Sequence, residues 1–257
     1  MRTTRLRDKI KQGRTVIGPF CNLTDPQAVE AIGLAGFDFC ILDHEHGRFS
    51  VKDMEGLVRA AEISGTSGVI RVAELNTAQI TTALDTGAEA VQVPNLSSME
   101  HAKTAVRSAR YFEPGGERGT SPYNRGANYN LHDCFDPKKI DEEQLLIIQV
   151  EGEEGLANLD AILEVDGLDG IFLGPNDIAR SLGLAGQMAH PKVVAAVEQA
   201  ATKIRAKSLF AGTFCANVDQ AHQWIRLGVQ YISIRTDVHI LGMACAEIVQ
   251  RLREAAD

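Results

Sequence analysis

The stretch GFDFCILDHEHG, residues 36–47, decides the fold. Its first glycine precedes an apolar-rich run, Phe37 to Leu42, and this pattern is typical of a short turn that leads from a helix into a buried strand. Polar residues come directly after the run: Asp43, His44, Glu45 and His46. Carboxyl groups and imidazoles beside a buried strand need partners or a ligand. Residues at the ends of the other strands are the candidates for these partners.

The same pattern recurs along the chain. GAEAVQVP, GLDGIFLG and GVQYISIR begin at Gly87, Gly167 and Gly228, and four further apolar runs have the length of a strand: VIGPFCNL, SGVIRVAE, LLIIQVEG and LFAGTFCAN. Helical patterns lie between these eight candidates: TDPQAVEAIGLAG, NTAQITTALDTG, SSMEHAKTAVRSAR, EGLANLDAILEV, HPKVVAAVEQAATKIRAK and VDQAHQWIRLG. Apolar strands that alternate with helices favour a parallel sheet covered on both faces.

Eight such units in 257 residues predict a single α/β domain, a (β/α)8 TIM barrel over residues 1–257. An open, doubly wound sheet is the less favoured alternative, because no GxGxxG motif comes after the first strand. The one long polar segment, residues 112–141, is too long for a bare connection between the fourth and fifth strands. We expect it to form part of the site or of a contact between subunits.

Composition narrows the class of protein. Hydrophobic residues make up 44% and charged residues 23% of the chain, and the net charge of −8 argues against a nucleic-acid partner. No apolar run approaches the length of a membrane span, and residues 1–15 are basic but lack the apolar core of a signal peptide. The five scattered cysteines form no CxxC pair, which favours buried thiols in a reducing cytoplasm over disulfides or zinc.

Polar side chains lie at the ends of several of the apolar strands. Arg71 lies within SGVIRVAE, Gln149 and Glu151 lie in LLIIQVEG, and Asp177 comes after GLDGIFLG in the turn GPND. In a barrel the C-terminal ends of the strands meet at one face, which carries the chemistry. Glu151 and Asp177 are 26 positions apart, about one βα repeat, so both carboxylates could bind one hard divalent ion such as Mg²⁺ or Mn²⁺.

Each of these residues also has an ordinary structural interpretation. Either carboxylate can cap the next helix along the chain, and His46 can be a solvated residue of a polar loop. In the functional interpretation, Asp43 and His46 form an acid–base pair in which the carboxylate fixes the imidazole tautomer. Arg71 needs a partner inside an apolar strand, either an anionic substrate oxygen or an internal carboxylate, Asp85 or Glu74.

Weaker signals complete the pattern. His44 and Glu45 are expected to support the site from the opposite side, because neighbours along a strand point to opposite faces. The turn GPND offers backbone N–H groups to a substrate carboxylate, or is an ordinary tight turn.

The nine lysines all lie outside the strand candidates and their C-terminal ends, which disfavours a Schiff base and favours metal-assisted enolisation. The glycines of EPGGERG are a poor match to a phosphate loop, since no Lys-Ser or Lys-Thr comes after them.

Several segments resemble the HpcH/HpaI aldolase family: LDHEHG, VIRV, LDTGAEAVQVPN, ARYFEPGGERG, IIQVEGEEGLANLDAILEVDGLDGIFLGPNDIARSLG and HPKV. The resemblance extends over nearly the whole chain. It implies a class II pyruvate aldolase that depends on a divalent metal cation (Mg²⁺, Mn²⁺ or Co²⁺) and acts on pyruvate and a small (hydroxy)aldehyde. It also implies a (β/α)8 barrel whose last helix is exchanged with a neighbouring subunit, in a homohexamer built as a trimer of dimers.

The resemblance assigns roles to residues of this chain. It implies that Glu151 and Asp177 bind the metal, that His46 is the catalytic histidine with Asp43 paired to it, and that Arg71 contacts the keto oxygen. Substrate contacts are implied for Gln149, near the pyruvate, for the carboxylate-binding turn Gly174, Pro175, Asn176 and Asp177, and for Asp85, at the subunit edge of the site.

The chain departs from the family pattern at two places. The segment TSPYNRGANYN, residues 120–130, replaces the family's commoner sequence on the aldehyde side, and Arg235 stands where a small residue is usual. The resemblance therefore implies reversible cleavage of a 4-hydroxy-2-oxo acid to pyruvate and an aldehyde, without naming the aldehyde. Oxaloacetate decarboxylation, a Claisen-type condensation and non-catalytic binding of a 2-oxo acid remain alternatives.

Overall fold

Eight parallel strands pair in sequence order and close into a barrel, which confirms the predicted (β/α)8 architecture. The structure is a computed structural model and describes residues 5–112 and 115–254. Residues 1–4 of the basic N-terminal segment, and Glu113 and Pro114 of the EPGGERG segment, lie outside the described residues.

The eight strands fall on the eight apolar runs that the sequence predicts. They are β1 (Val16–Cys21), β2 (Phe39–Asp43), β3 (Ser67–Arg71), β4 (Ala90–Val93), β5 (Leu145–Val150), β6 (Gly170–Leu173), β7 (Phe210–Cys215) and β8 (Tyr231–Thr236). Their side chains divide between two apolar layers. Phe39, Ile41 and Phe172 belong to the cluster that fills the barrel, whereas Cys40, Leu42 and their counterparts pack against the surrounding helices.

Helices surround the barrel. They are α1 (Arg5–Lys11), α2 (Pro26–Leu34), α3 (Val51–Ser64), α4 (Thr77–Asp85), α5 (Met99–Ala109), α6 (Pro137–Glu143), α7 (Glu153–Ala157), α8 (Leu159–Ile162), α9 (Pro175–Ser181), α10 (Pro191–Ala206), α11 (Val218–Arg226) and α12 (Asp237–Glu254), with a 3₁₀ segment at Arg125–Asp133. The pattern EGLANLDAILEV forms two short helices rather than one, because Asn158 leaves the helical conformation at φ −91°, ψ 4°. No helix in the described ranges combines the length and hydropathy needed to cross a membrane.

The last helix, α12, differs from the others in its packing. Every side chain from Leu241 to Glu254 is exposed, including apolar ones. In a (β/α)8 barrel the helix after the last strand normally buries an apolar face against the sheet. Here α12 leaves that face uncovered within one chain.

Candidate active site

The predicted polar residues gather at the C-terminal ends of adjacent strands. Asp43 ends β2 and Arg71 ends β3, and the two are direct partners in the strand register. Gln92 lies beside Arg71 on β4, and Gln149 lies on β5. Because all strands are parallel, these side chains meet at one mouth of the barrel.

Arg71 is the centre of this cluster. Its Nε and Nη2 donate to the two carboxylate oxygens of Asp43 at 2.8 and 2.7 Å, and its Nη1 lies 2.8 Å from Oε2 of Glu45. The guanidinium carbon lies 4.5 Å from the centroid of the Phe20 ring. A guanidinium held on two carboxylates and an aromatic face is fixed in orientation before any substrate arrives.

The charge of Arg71 sets the protonation of its neighbours. Burial raises the pKa of Asp43, but the hydrogen bonds and the charge of Arg71 outweigh burial, so the pKa lies below its usual value. Burial also raises the pKa of Glu45, and in this case Arg71 and His46 offset burial only in part. The internal partners of Arg71 are thus Asp43 and Glu45, and neither Asp85 nor Glu74 plays that part.

His46 lies at the exposed rim of the mouth. Asp43 accepts hydrogen bonds from the backbone N–H groups of Glu45 and His46 at 3.1 and 3.3 Å, and Asn22 donates to its other oxygen at 3.2 Å. The contact between Asp43 and His46 therefore runs through the backbone of His46 and not through its imidazole. The positive form of that imidazole instead lowers the pKa of Glu45.

A line of amides holds Glu151. Nε2 of Gln92 donates to Oε1 of Gln149 at 2.5 Å, and Nε2 of Gln149 donates to Oε2 of Glu151 at 2.7 Å. Burial raises the pKa of Glu151, and the charges of Asp177 and Glu45 raise it further. A Cβ added at Gly174 would lie 2.7 Å from both Cβ and Oε2 of Glu151, so only glycine leaves room for this carboxylate.

Asp177 faces the same cluster from the first turn of α9. Its charge raises the pKa of both Glu151 and Glu45, and its side chain, 44% exposed, accepts from Arg180 at 3.0 Å. A carboxyl group whose pKa is raised by burial and by neighbouring carboxylates favours a hard cation that neutralises the charge. Within residues 5–112 and 115–254, however, no group of three or more His, Cys, Asp or Glu side chains could hold a metal ion. Glu151 and Asp177 therefore fit a cation that takes its other ligands from water or substrate.

Asp85 and residues 120–130 lie at the opposite end of the barrel. Asp85 ends α4 and forms an ion pair with Arg118 at 2.6 Å. The 3₁₀ segment lines a cavity of about 650 Å³ together with Ser67 and Gln144, which lie where strands begin. Each helix of the barrel ends near the N-terminal end of the next strand. A single chain therefore does not bring these residues to the cluster.

Three residues take a larger part in the site than the sequence predicts. Glu45 supports the site by a direct contact with Arg71 and does not point to the opposite side, because β2 ends at Asp43 and the strict alternation of side chains ends with it. The sequence assigns no role to Gln92, a polar residue inside the apolar run of β4, or to Phe20, which lies one residue before the end of β1. The usable signal was their position at the C-terminal ends of β4 and β1.

Comparison with known proteins finds relatives over nearly the whole chain. The family model of HpcH/HpaI aldolase/citrate lyase matches residues 16–244. A hydroxypyruvate/pyruvate aldolase of Pseudomonas aeruginosa is 35% identical over 98% of this chain and 94% of its own length. A 4-hydroxy-2-oxo-heptane-1,7-dioate aldolase of Salmonella heidelberg (strain SL476) is 32% identical over 95% of this chain and 93% of its own.

The fold is shared as closely. The crystal structure of an HpcH/HpaI aldolase/citrate lyase family protein from Burkholderia cenocepacia J2315 superposes with a TM-score of 0.92 at 27% identity, covering 98% of this chain and 100% of that one. The fold and the site together define the class of protein. It is a TIM barrel with carboxylates and an arginine at the C-terminal mouth. The chain belongs to the HpcH/HpaI aldolase/citrate lyase family, which confirms the resemblance found in the sequence.

Proposed function

We propose that this protein is a class II aldolase, a carbon–carbon lyase that reversibly cleaves a 4-hydroxy-2-oxo acid to pyruvate and an aldehyde. The observation that carries the proposal is the fixed guanidinium of Arg71 at the same mouth of the barrel as Glu151, a carboxyl group on which the charges of both Arg71 and Asp177 act. Relatives named as pyruvate and 4-hydroxy-2-oxo acid aldolases, at 32–35% identity over nearly the full length, support the same reaction.

Glu151 and Asp177 would hold the divalent cation, Mg²⁺, Mn²⁺ or Co²⁺. When bound, such a cation supplies Lewis-acid polarisation of the 2-oxo acid and so stabilises the enolate that forms when the carbon–carbon bond breaks. Divalent-metal dependence fits the family. A lysine imine is not needed: the nine lysines lie on helices α1, α3, α5, α6 and α10 or directly after α10.

Arg71 positions the donor and stabilises charge. Asp43, Glu45 and the Phe20 ring hold its guanidinium at the floor of the mouth. Its positive charge is thereby preorganised for the keto oxygen, where negative charge develops in the transition state. Gln149 would contact the pyruvate half, and the backbone of Gly174, Pro175, Asn176 and Asp177 would bind its carboxylate.

His46 is assigned the proton transfer at the 4-hydroxyl group. It lies at the rim of the mouth, and the backbone N–H groups of residues 45 and 46 both donate to Asp43. Asp43 thus fixes the loop that carries His46. An imidazole can both accept and donate a proton, so it can serve both directions of a reversible aldol reaction.

The chain is proposed to act as a homo-oligomer, a hexamer built as a trimer of dimers. The exposed apolar side chains of α12 support exchange of this helix with a neighbouring subunit. Asp85 and residues 120–130 lie at the end of the barrel opposite the cluster, so another subunit would have to bring them to a site. We propose one domain over residues 1–257, a cytoplasmic location, and no nucleic-acid or membrane partner.

Proton NMR of pyruvate in D₂O tests the reaction without knowledge of the aldehyde. Metal-stripped protein should exchange the methyl protons only after Mg²⁺, Mn²⁺ or Co²⁺ is added. Glu151→Gln should abolish this exchange, whereas Glu154→Gln, a matched loss of one exposed carboxylate nearby, should keep it. Pyruvate that binds without exchange would favour a sensor, and absence of binding would exclude pyruvate as the donor.

A screen of substrates separates the other enolate reactions. Purified protein with the active metal is offered a 4-hydroxy-2-oxo acid, oxaloacetate, or oxaloacetate with an acyl-CoA. The proposal expects the highest kcat/KM for the 4-hydroxy-2-oxo acid. A higher value for oxaloacetate alone would indicate a decarboxylase, and consumption of acyl-CoA would indicate a Claisen-type condensation.

A further inference from the structure

Arg235 occupies an unusual backbone position at the mouth of the barrel. Its φ of 57° lies in the left-handed region that disfavours side chains larger than glycine. The pairing of β1 with β8 shifts by one residue here, since Gly18 faces Ser233 whereas Phe20 faces Thr236. β8 therefore carries a bulge at the C-terminal end of the barrel, and bulges beside active sites re-aim side chains.

The side chain of Arg235 is held by a hydrogen bond at Nε, and its two terminal nitrogens are left for a ligand. Its Nε donates to the backbone oxygen of Ala216, just after β7, at 2.9 Å. Across residues 5–112 and 115–254, its two terminal nitrogens have no hydrogen-bond or ion-pair partner. The neighbouring carboxylate, Asp237, is buried and accepts from the backbone N–H groups of Asn22 and Leu23. The fork of the guanidinium is thus free for a ligand.

The position of Arg235 places it on the acceptor side of the site. The residues assigned to the pyruvate half and the cation lie at the ends of β2, β3, β5 and β6. No residue on the arc formed by β7, β8 and β1 is assigned to the pyruvate half or to the cation. Arg235 lies in the middle of this arc. The aldehyde half of the substrate has to extend from the pyruvate half into the remaining space at this mouth.

We propose that Arg235 determines acceptor specificity by binding an oxyanion, carboxylate or phosphate, at the far end of the aldehyde. This inference rests on the proposed aldolase function. A guanidinium with two free donors matches the two oxygens of such a group. Strain retained at a functional residue is the expected cost of holding that fork in place.

The test compares matched aldehydes with and without the oxyanion. Aldol addition of pyruvate is measured with 4-oxobutanoate against butanal, and with glyceraldehyde 3-phosphate against glyceraldehyde. The variant is Arg235→Gly, which suits the left-handed backbone and should fold at least as stably as the wild type. Arg235→Lys keeps the charge without the fork. Arg226→Gln removes one exposed positive charge at the other end of the barrel and serves as the control.

We expect Arg235→Gly to lower kcat/KM for the preferred oxyanionic aldehyde about 10- to 100-fold, with the uncharged partner changed less than about 3-fold. The lysine variant should fall between, and the control should match the wild type. The pair that responds identifies carboxylate or phosphate as the group recognised.

Two results would overturn the inference while the aldolase function stands. One is an equal loss for charged and uncharged aldehydes in Arg235→Gly. The other is a change of oligomeric state without a change in selectivity, which would assign the guanidinium to a carboxylate of a neighbouring subunit. Methyl-proton exchange of pyruvate is measured on the same samples, and its absence in the wild type would overturn the proposed function instead.

Discussion

Replacing Arg71 by methionine tests whether the cluster is held together by one buried cation. Methionine keeps an apolar stem but removes the guanidinium, and with it the stacking on the Phe20 ring and three contacts of 2.7–2.8 Å to Asp43 and Glu45. The side chains of Arg71 and Asp43 are only 9% and 3% exposed, so the variant leaves a buried carboxylate without its counter-charge. Breaking a buried pair in this way costs about 3–5 kcal/mol. Loss of the contact with Glu45 adds less to the destabilisation, because this side chain is 22% exposed and water screens its charge.

The assay is urea unfolding of metal-free protein at a fixed protomer concentration. We expect the free energy of unfolding to fall by about 3–5 kcal/mol. In a thermal unfolding experiment the same loss corresponds to a fall in Tm of roughly 6–20 °C for a chain of this size. Arg59→Met is the control, since its ion pair with Glu55 is exposed and should contribute at most about 0.5 kcal/mol.

A double-mutant cycle makes the reasoning refutable. If the cost comes from the abandoned carboxylate, Arg71→Met combined with Asp43→Asn should be less destabilised than the sum of the two single variants, by about 1–3 kcal/mol. Additivity within about 0.5 kcal/mol would refute the proposed coupling.

The pH dependence gives an independent check. In the wild type the pKa of Asp43 is lowered, so its contribution to stability is present above the pKa of the unfolded chain and is lost as the pH falls through the folded-state pKa. Without Arg71, burial is opposed only by the hydrogen bonds from Asn22 and the backbone of residues 45 and 46, so we expect that pKa to rise and the charged carboxylate to destabilise the fold at neutral pH. The penalty of Arg71→Met should therefore shrink between about pH 7.5 and pH 4.5. A constant penalty would contradict this explanation.

Further predictions concern the cation, the proton and α12. Cation at about 100 times its Kd should stabilise the wild type by about 2.7 kcal/mol, roughly 5–10 °C in Tm, and not Glu151→Gln. Gly174→Ala, whose Cβ meets the Glu151 carboxylate, should lose the same cation response while remaining folded, as circular dichroism would show. His46→Asn should lower kcat for cleavage about 10²-fold or more, and an unchanged kcat would remove it from the mechanism. If α12 is exchanged, Cys245 should react with a thiol reagent far more slowly than exposed Cys134, and equal rates would show that α12 is uncovered.

Local pattern identified the barrel and most of its site. Continuous apolar runs, four of them after a glycine, are typical of buried parallel strands, so all eight strands could be placed from the sequence. The position of a polar residue at the end of such a run or just after it is also local information. Asp43, Arg71, Glu151 and Asp177 were therefore recognisable before any coordinate was known.

Only the tertiary structure decided which groups contact each other. The bidentate contact of Arg71 with Asp43 depends on strand register, and the path from Gln92 through Gln149 to Glu151 crosses from β4 to β5. Side chains after the end of a strand no longer alternate, so the role of Glu45 was beyond pattern reasoning.

The placement of Asp85 and residues 120–130 also depends on the tertiary structure and not on the local sequence. The sequence alone determined that these residues exist and where they stand along the chain. That they lie at the end of the barrel opposite the cluster results from the direction in which α4 and α5 run back to the start of the next strand. The sequence thus determined the barrel and its chemical groups, because periodicity and composition are local. The barrel's closure decided how those groups meet, because contacts between distant residues form only when the strands pair.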